Sequence, residues 1–425
     1  MTAGVRGGFA ALDPCVHCGF CLQACPTYLA TGDEADGPRG RIELMRALER
    51  GELDEGDSAL GRHLDRCLGC RGCEPVCPSG VGYGLGLEAA RERLTHRRGV
   101  PLLARLALSA MTTPKLSPAV YALARTFRAT GLPRSIAGWS RWRFGMGMLA
   151  ATKSHRRGER GGVPDGAHRS PVATRQEPLP TPHSRVLLFR GCIMDGLFSH
   201  VHEATIRTLE VNGYAVQEVE AQGCCGALHA HAGMQEAARS LARINVAAFG
   251  ADDAAVVVNS AGCGAQLKGY GHVLGDPAGS RFAARVRDVT ELLAERGPVP
   301  GAPLGRPLRV VYDAPCHLAH AQRVIEPPLA VLRAIPGLDL SETADSVQCC
   351  GSAGLYTLLE PALSRDVLDS KLSRLLEAPP DVVATGNPGC LMQIGAGLLA
   401  ARAAASVRHP VELLDLSYRT AGLYG

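Results

Sequence analysis

The sequence has few aromatic residues, little net charge and no long apolar run. Aromatic side chains make up only 4% of its 425 residues, so the core must consist largely of alanine, leucine and valine. The 45 Lys and Arg residues against 41 Asp and Glu give a formal charge of +4, which is too small to favour nucleic-acid binding. The N-terminus lacks the apolar segment of a secretory signal, and no apolar stretch reaches the roughly 18 residues that span a membrane. We therefore expect a cytoplasmic protein.

Nucleotide-binding motifs are also missing. Gly145–Ala150 matches G-x-G-x-x-A by letter but follows no strand-like segment, so it does not predict a dinucleotide site. The sequence contains no phosphate-binding G-x-x-x-x-G-K-[ST] loop. A flavin, if one takes part, is expected on a different chain.

Cysteine, by contrast, is abundant: the chain has 16, and two runs near the N-terminus read C-x2-C-x2-C-x3-C-P. This spacing is typical of bacterial two-cluster ferredoxins, in which the fourth cysteine of each run binds the cluster of the other. Zinc sites usually take ligands in two pairs, and disulfides are rare in cytosolic chains. We therefore predict two 4Fe-4S clusters, cluster 1 held by Cys15, Cys18, Cys21 and Cys77, and cluster 2 by Cys67, Cys70, Cys73 and Cys25.

The segment between the two cysteine runs predicts a helix. Asp36–Arg41 reads D-G-P-R-G-R, and proline is favoured in a first helical turn. Ile42, Met45 and Leu48 then follow at helical spacing. The arginines of the motif, Arg39 and Arg41, are expected either to stabilise the more negative reduced clusters or to lie on a solvated face.

Residues 96–185 are interpreted as a connector between domains. Leucines up to Leu108 predict a helix, the chain is expected to become irregular after Pro114 and Pro118, and residues 153–185, rich in Arg, Gly and Pro, predict a flexible linker. Trp139–Phe144 mixes aromatic residues with arginines. It is expected either to touch a membrane surface or to form a partly buried helix.

Residues 186–425 contain an internal repeat. Cys192 and Cys316 are 124 residues apart, Cys224 and Cys349 are 125 apart, and Cys263 and Cys390 are 127 apart. In each copy short β-rich runs alternate with helical stretches and the cysteines follow the runs, which predicts an α/β sheet with the cysteines gathered at its strand ends. The predicted fold is a helical ferredoxin-like domain (1–95), a connector (96–185) and two α/β cysteine-rich repeats (186–300 and 301–425).

The sequence resembles the iron–sulfur subunit of bacterial glycolate oxidase. The likeness rests on Cys15–Cys21, Asp36–Arg41, Leu64–Cys70 and the two Cys-Cys-Gly sequences, in that order. The C-terminal half resembles the CCG domain shared with heterodisulfide reductase, anaerobic glycerol-3-phosphate dehydrogenase and lactate-utilisation subunits.

The resemblance implies an electron-transfer subunit of a glycolate dehydrogenase complex, which is not catalytic alone. Electrons would come from a partner flavoprotein that oxidises glycolate to glyoxylate. A second FAD-binding-type subunit would complete the complex. The final electron acceptor would belong to the respiratory chain, such as quinone. The chain would lie peripherally on the cytoplasmic face of the inner membrane, and it would not bind nucleic acid. Lactate or glycerol-3-phosphate dehydrogenase subunits, and a catalytic heterodisulfide-type reductase, are the alternatives.

The CCG repeats depart from the fullest family pattern, which ends in C-x-x-C. Gln266 and Gln393 occupy the last position, and the cysteines that remain are Cys192, Cys224, Cys225 and Cys263 in the first repeat and Cys316, Cys349, Cys350 and Cys390 in the second. Four thiolates per repeat suffice for a further cluster, but a zinc site, a redox-active cysteine pair or a structural relic stays open. The histidines near cysteines (His17, His63, His317 and His320) are expected to hydrogen-bond near the sites rather than to bind metal.

Overall fold

The computed structural model describes residues 8–153 and 184–424. The region of the two cysteine runs is helical: short 3₁₀ helices (Gly8–Leu12, Phe20–Leu22 and Glu34–Asp36) accompany α1 (Pro26–Thr31), α2 (Pro38–Glu49), α3 (Ser58–Asp65) and α4 (Tyr83–Arg98). The predicted helix between the runs is confirmed as α2. It begins at Pro38 because a first-turn residue needs no backbone N–H donor, and it buries Ile42, Met45 and Leu48 against the apolar face of α4.

The connector is more helical than we predicted. It contains α5 (Leu102–Thr112), α6 (Ser117–Ala129), α7 (Leu132–Ile136) and α8 (Arg141–Ala151). The expectation of irregular chain after Pro114 and Pro118 is wrong, because Pro118 lies in the first turn of α6, where proline is compatible with a helix. Gly145–Ala150 lies inside α8. The predicted flexible linker falls almost wholly on residues outside the described ranges.

The C-terminal half folds as two successive α/β repeats. The first contains β1 (Ser184–Leu188), α9 (Ile193–Leu197), α10 (Ser199–Val211), β2 (Tyr214–Glu218), α11 (Ala227–His231), α12 (Gln235–Phe249), β3 (Ala255–Val258), α13 (Ala261–Lys268), α14 (Tyr270–Leu274), α15 (Pro277–Arg285), β4 (Val286–Asp288) and α16 (Val289–Glu295). The second contains β5 (Leu308–Tyr312), α17 (Glu326–Arg333), β6 (Leu338–Glu342), α18 (Tyr356–Leu359), α19 (Pro361–Leu375), β7 (Val382–Ala384), α20 (Pro388–Ala400), β8 (Ser406–Arg408) and α21 (Pro410–Thr420). A short π-helix, His317–Ala321, follows β5.

Each repeat forms a four-stranded parallel sheet with its chain order reversed at the centre. The strand orders are β2-β1-β3-β4 and β6-β5-β7-β8, and Val186 of β1 pairs with both Val216 and Ala255. In such sheets ligands bind beyond the carboxyl ends of the strands, where the order reverses. In each repeat the cysteines follow the first three strands, so the topology brings them to this crevice.

One apolar core runs through both repeats, with buried residues such as Leu188, Val257, Val311 and Val383 belonging to a single cluster. Polar contacts also join the repeats: Arg207 of α10 donates to both carboxylate oxygens of Asp415 in α21, at 2.8 and 3.0 Å. The two sheets are therefore held as one packed body. Within the described ranges, no helix is both long enough and apolar enough to cross a bilayer.

Candidate iron–sulfur centres

Four cysteines from both runs converge near the molecular surface. A small cavity of about 30 Å³ is lined by thiols that include the whole set predicted for cluster 1, namely Cys15, Cys18, Cys21 and Cys77. Cys18 is exposed, and Gly19 turns the loop with a φ of 84° that only glycine adopts freely. Burial, with further contributions from the Cys15, Cys77 and Cys18 thiolates, raises the pKa of Cys21 to about 11. We call this group site 1.

The other four cysteines form a deeper group, site 2, consisting of Cys67, Cys70, Cys73 and Cys25. Burial, followed by the neighbouring Cys70, Cys67 and Cys25 thiolates among others, raises the pKa of Cys73 well above its usual range. The Gly69 backbone N–H and the Tyr83 hydroxyl both donate to Cys67 Sγ at 3.5 Å. Glycine at position 69 lets the backbone approach the sulfur closely enough for this donation.

The two arginines of the D-G-P-R-G-R motif have different environments. Arg39 is partly buried, pairs with Glu34 at 2.7 Å, lines the site 1 cavity and donates to His17 O at 3.3 Å. Arg41 is fully buried, and its guanidinium donates to His63 O, Thr27 Oγ1 and Asp36 Oδ1 at 2.7, 3.0 and 3.4 Å. Both arginines therefore lie beside a cysteine group, Arg39 at site 1 and Arg41 at site 2.

Buried cations favour the thiolate form of Cys67. Burial by itself raises the pKa of this thiol, but the charges of Arg41 and Arg91 outweigh that effect and bring the pKa below its usual value. Arg91 also donates to the carbonyl oxygens of Cys67 and Leu64 at 2.6 and 2.9 Å. Nothing in the sequence singled out Arg91, which is one of several arginines on α4.

The eight cysteines of the CCG repeats line one cavity of about 120 Å³, which confirms the expectation that they gather at one place. The Sγ atoms approach in pairs, Cys192–Cys224 at 3.4 Å, Cys225–Cys263 at 3.2 Å and Cys350–Cys390 at 3.4 Å. All sixteen cysteines are free thiols. The thiols thus form a dense donor set between the two repeats.

The residue in place of a fifth cysteine in the second repeat has a structural role. Gln393 is fully buried, accepts from Thr357 Oγ1 at 3.1 Å and donates to Ser364 Oγ at 3.0 Å. Its side chain thus links α20 to α18 and α19. Each repeat therefore offers four cysteines to a metal at this cavity, which His231 and His317 also line.

Site 2 lies directly against the second CCG repeat. Cys70 packs in one apolar cluster with Cys316, Cys349 and Tyr356, and the Tyr356 hydroxyl donates to Arg66 O at 2.9 Å. The His231 and His317 rings also approach, with their centroids 5.4 Å apart. His231 and Tyr356 had no signal in the sequence, because their role depends on long-range packing. The thiols of site 2 and those of the CCG cavity are therefore neighbours.

Known proteins share this arrangement of residues along the chain. The Bacillus subtilis (strain 168) protein named "Probable glycolate oxidase iron-sulfur subunit" is 36% identical over 425 residues, covering 96% of this chain and 94% of its own length. The Escherichia coli (strain K12) "Glycolate oxidase iron-sulfur subunit" is 33% identical over 420 residues, covering 95% and 93%. The chain belongs to the family of glycolate oxidase iron–sulfur subunits. "Lactate utilization protein A" of Geobacillus kaustophilus (strain HTA426) is 31% identical over 236 residues, 54% of this chain and 98% of that protein.

Two domain families match within this iron–sulfur subunit. A 4Fe-4S dicluster domain matches residues 11–81, and a cysteine-rich domain (CCG) matches residues 186–268 and 310–395. Sites 1 and 2 fit that description chemically, since each presents four converging thiols and soft thiolates are the donors that iron–sulfur clusters take. The chain is thus an iron–sulfur protein of the electron-transfer type.

Proposed function

We propose that this chain is the electron-transfer subunit of a glycolate dehydrogenase complex. Its similarity to two glycolate oxidase iron–sulfur subunits over nearly the whole length carries the proposal. A partner flavoprotein oxidises glycolate to glyoxylate, a second FAD-binding-type subunit completes the complex, and the chain passes the electrons toward a respiratory acceptor. It works in the cytoplasm, peripherally on the inner membrane, and carries no flavin itself.

The ligand sets follow the two groups of thiols. Cys15, Cys18, Cys21 and Cys77 hold cluster 1 at site 1, and Cys67, Cys70, Cys73 and Cys25 hold cluster 2 at site 2. When bound, each 4Fe-4S cluster supplies reversible one-electron chemistry. The convergence of four thiols at each site supports this assignment.

With clusters held at both sites, electrons would enter at site 1 and leave through site 2. Val16 and Phe20, beside the exposed Cys18, are 67% and 66% exposed, and exposed apolar side chains of this kind mark a protein-docking surface. At site 2 the buried Arg41 and the donors Gly69 and Tyr83 stabilise added negative charge on the sulfurs. These contacts are expected to make site 2 the more easily reduced site, so that transfer from site 1 is downhill.

Metal analysis of anaerobically purified protein tests the ligand assignment. Wild type is expected to give iron, acid-labile sulfide and EPR signals for at least two clusters after dithionite reduction. Cys18→Ser is expected to remove only the site 1 signal and Cys73→Ser only the site 2 signal. Unchanged spectra in both variants would contradict the assignment.

Reconstitution with the flavoprotein subunits of the proposed complex tests the substrate. Glycolate is expected to bleach the clusters of the complex under anaerobic conditions, and lactate and glycerol 3-phosphate are expected to do so far more slowly. Faster bleaching by lactate would place the chain with the lactate-utilisation relatives instead.

A catalytic heterodisulfide-type reductase is the second candidate. The observation that favours it is the single cavity lined by eight thiols. In that case iron would exceed the content of two clusters, and the excess would be lost on Cys225→Ser and Cys350→Ser together, with the spectra of sites 1 and 2 intact.

A further inference from the structure

A second, larger cavity lies between site 2 and the CCG repeats. It has a volume of about 430 Å³ and is bounded by α4, α5, α11 and the segment around α18. That volume falls within the range of small-molecule sites. Cys67, a thiol of site 2, lies in its lining, and Leu68, Leu228 and His231 line both this cavity and the one with eight thiols. A molecule bound here would contact the wall of site 2.

The lining combines apolar side chains with polar and charged ones, among them Asp65, Arg91 and Thr95. Leu228, Ala232 and Leu355 supply apolar wall, while Arg98 and Glu360 bring opposite charges. The Arg98 guanidinium keeps only a long contact to Asp65, at 3.5 Å, so its N–H groups can donate to a bound carbonyl oxygen. Glu360 is paired loosely with Arg66 at 3.8 Å, and burial raises the pKa of this carboxyl group.

Exposed leucines surround the opening. Leu102 and Leu103 of α5, next to the lining residues Pro101 and Ala104, are 61% and 47% exposed, and Leu359 of the lining is 42% exposed. An exposed cluster of large apolar side chains beside a cavity calls for an apolar ligand or surface.

The chain segment that supplies α5 carries charge of one sign, although Asp65 and Glu360 also line the cavity. Residues 93–153 contain no aspartate or glutamate but eleven arginines and lysines. Basic surface with exposed leucines fits an anionic membrane surface. A membrane of this kind would bring a tailed, lipid-soluble compound to the exposed leucines beside the cavity.

We infer that the cavity between Cys67 and the Leu102–Leu103 rim is the binding site of a quinone with an apolar tail. The inference rests on the proposed function, since it supplies the acceptor that the electron relay requires. The ring lies in the cavity, the Arg98 guanidinium donates to a ring carbonyl oxygen, and the tail lies along the leucines. With a cluster held at site 2, two electrons would arrive one at a time, two protons would come from solvent by way of Glu360, and the quinone would become the quinol.

The test follows the reoxidation of dithionite-reduced protein by stopped-flow absorbance. The oxidants are decyl-benzoquinone, the same ring without its tail, and ferricyanide. Ala232→Phe fills the cavity, and Ala129→Phe, at an exposed position on α6 outside the lining, is its matched control. Ala232→Phe is expected to slow both quinones at least roughly tenfold, the loss that follows when about two methylene equivalents of contact disappear. Ferricyanide should react equally with all variants.

A second pair of variants tests the tail. Leu102→Glu is expected to slow decyl-benzoquinone severalfold but not the tailless ring, and Leu123→Glu, which is 72% exposed on α6, should slow neither. If the Ala232→Phe variant does not retain its iron, the comparison of Leu102→Glu with Leu123→Glu tests the quinone site instead. The inference would be overturned if each variant reacted with the quinones as fast as its control. It would also be overturned if Ala232→Phe released a flavoprotein subunit while the quinone rates stayed unchanged.

The two proposals fail in different ways. All rates start from chemically reduced protein, so they do not depend on the flavoprotein or on glycolate. A complex that glycolate cannot reduce would contradict the proposed function. The quinone rates would still test whether the cavity binds quinone.

Discussion

The buried ion pair between Lys371 and Asp313 in the second repeat allows the packing behind the CCG thiols to be tested. The Lys371 ammonium lies 2.6 Å from Asp313 Oδ1, and the two side chains are 0% and 2% exposed. Lys371 also donates to the carbonyl oxygens of Asp345, Ser346 and Gln348 at 3.0, 2.8 and 3.0 Å. These carbonyls belong to the loop that leads into Cys349–Cys350, so one side chain holds both a carboxylate and the approach to the cysteine pair.

Lys371→Met is expected to lower the free energy of unfolding by about 3–5 kcal/mol, because it leaves the Asp313 carboxylate buried without its partner. Burial already raises the pKa of Asp313 in the wild type. Without Lys371 the pKa should rise further, so the carboxyl group is neutral at low pH and charged at high pH. The loss of stability relative to wild type should therefore grow as pH rises through the raised pKa that Asp313 has in the wild type.

Lys268→Met is the matched control in the first repeat. Lys268 pairs with Glu291 at 2.7 Å, but the side chains are 24% and 21% exposed, so the expected loss is below about 1 kcal/mol. Anaerobic urea unfolding, followed by circular dichroism, measures both. The fluorescence of Trp139 adds a local probe, because Arg365 of the same helix as Lys371 lies 4.2 Å from its ring centroid. Equal losses in the two variants would refute the reasoning.

Other contacts yield three further predictions. Burial raises the pKa of Asp288, which caps α16, to about 6, so its charged form destabilises the fold increasingly as pH rises from about 4 to 6. Asp288→Asn keeps the cap and should gain up to about 3 kcal/mol at pH 8 in urea unfolding, with no gain below about pH 4. Arg207→Met removes two charge-assisted hydrogen bonds to Asp415 between the repeats and should cost about 1–3 kcal/mol by the same assay. Arg91→Met removes donors to Cys67 O and His231 O, so site 2 should lose iron to a chelator severalfold faster, while site 1, measured by EPR, should not change.

Local spacing made the N-terminal part predictable from sequence. Three of the four thiols that bind each cubane cluster lie within a few residues of one another, so they form a short motif that can be recognised in the sequence. The strands β1, β3, β5 and β7 were predictable for a similar reason, since central strands of parallel sheets are continuous apolar runs. Their neighbours β2 and β6 are half-exposed. Strands β4 (Val-Arg-Asp) and β8 (Ser-Val-Arg) contain one apolar residue each, so they lack the continuous apolar run that identifies the three-residue β7.

Burial of charge was not predictable, because it depends on distant parts of the chain. Nothing in the D-G-P-R-G-R motif distinguishes Arg41 from Arg39, yet Arg41 is enclosed because Thr27, Asp36 and His63 supply acceptors around it. The same holds for the cavity beside site 2. Its walls come from α4, α5, α11 and α18, elements that lie far apart in sequence.

The two repeats hold their cysteine pairs in place with different kinds of side chain. Helix α19 begins 126 residues after α12, so Lys371 corresponds to Asn245. Asn245 is also fully buried and also holds the approach to a cysteine pair: it accepts from Gly223 N at 2.8 Å and donates to Cys224 O at 2.9 Å. Strand β5 begins 124 residues after β1, so Asp313 corresponds to the apolar Phe189.

The first repeat thus fixes its cysteine pair with a neutral amide, and the second fixes its pair with an ammonium whose charge a buried carboxylate balances. An amide cannot titrate, whereas a carboxylate in low dielectric surroundings can. Of these corresponding positions, only those of the second repeat can therefore make the packing behind the CCG thiols depend on pH. The second repeat is also the one whose Cys316 and Cys349 lie against site 2.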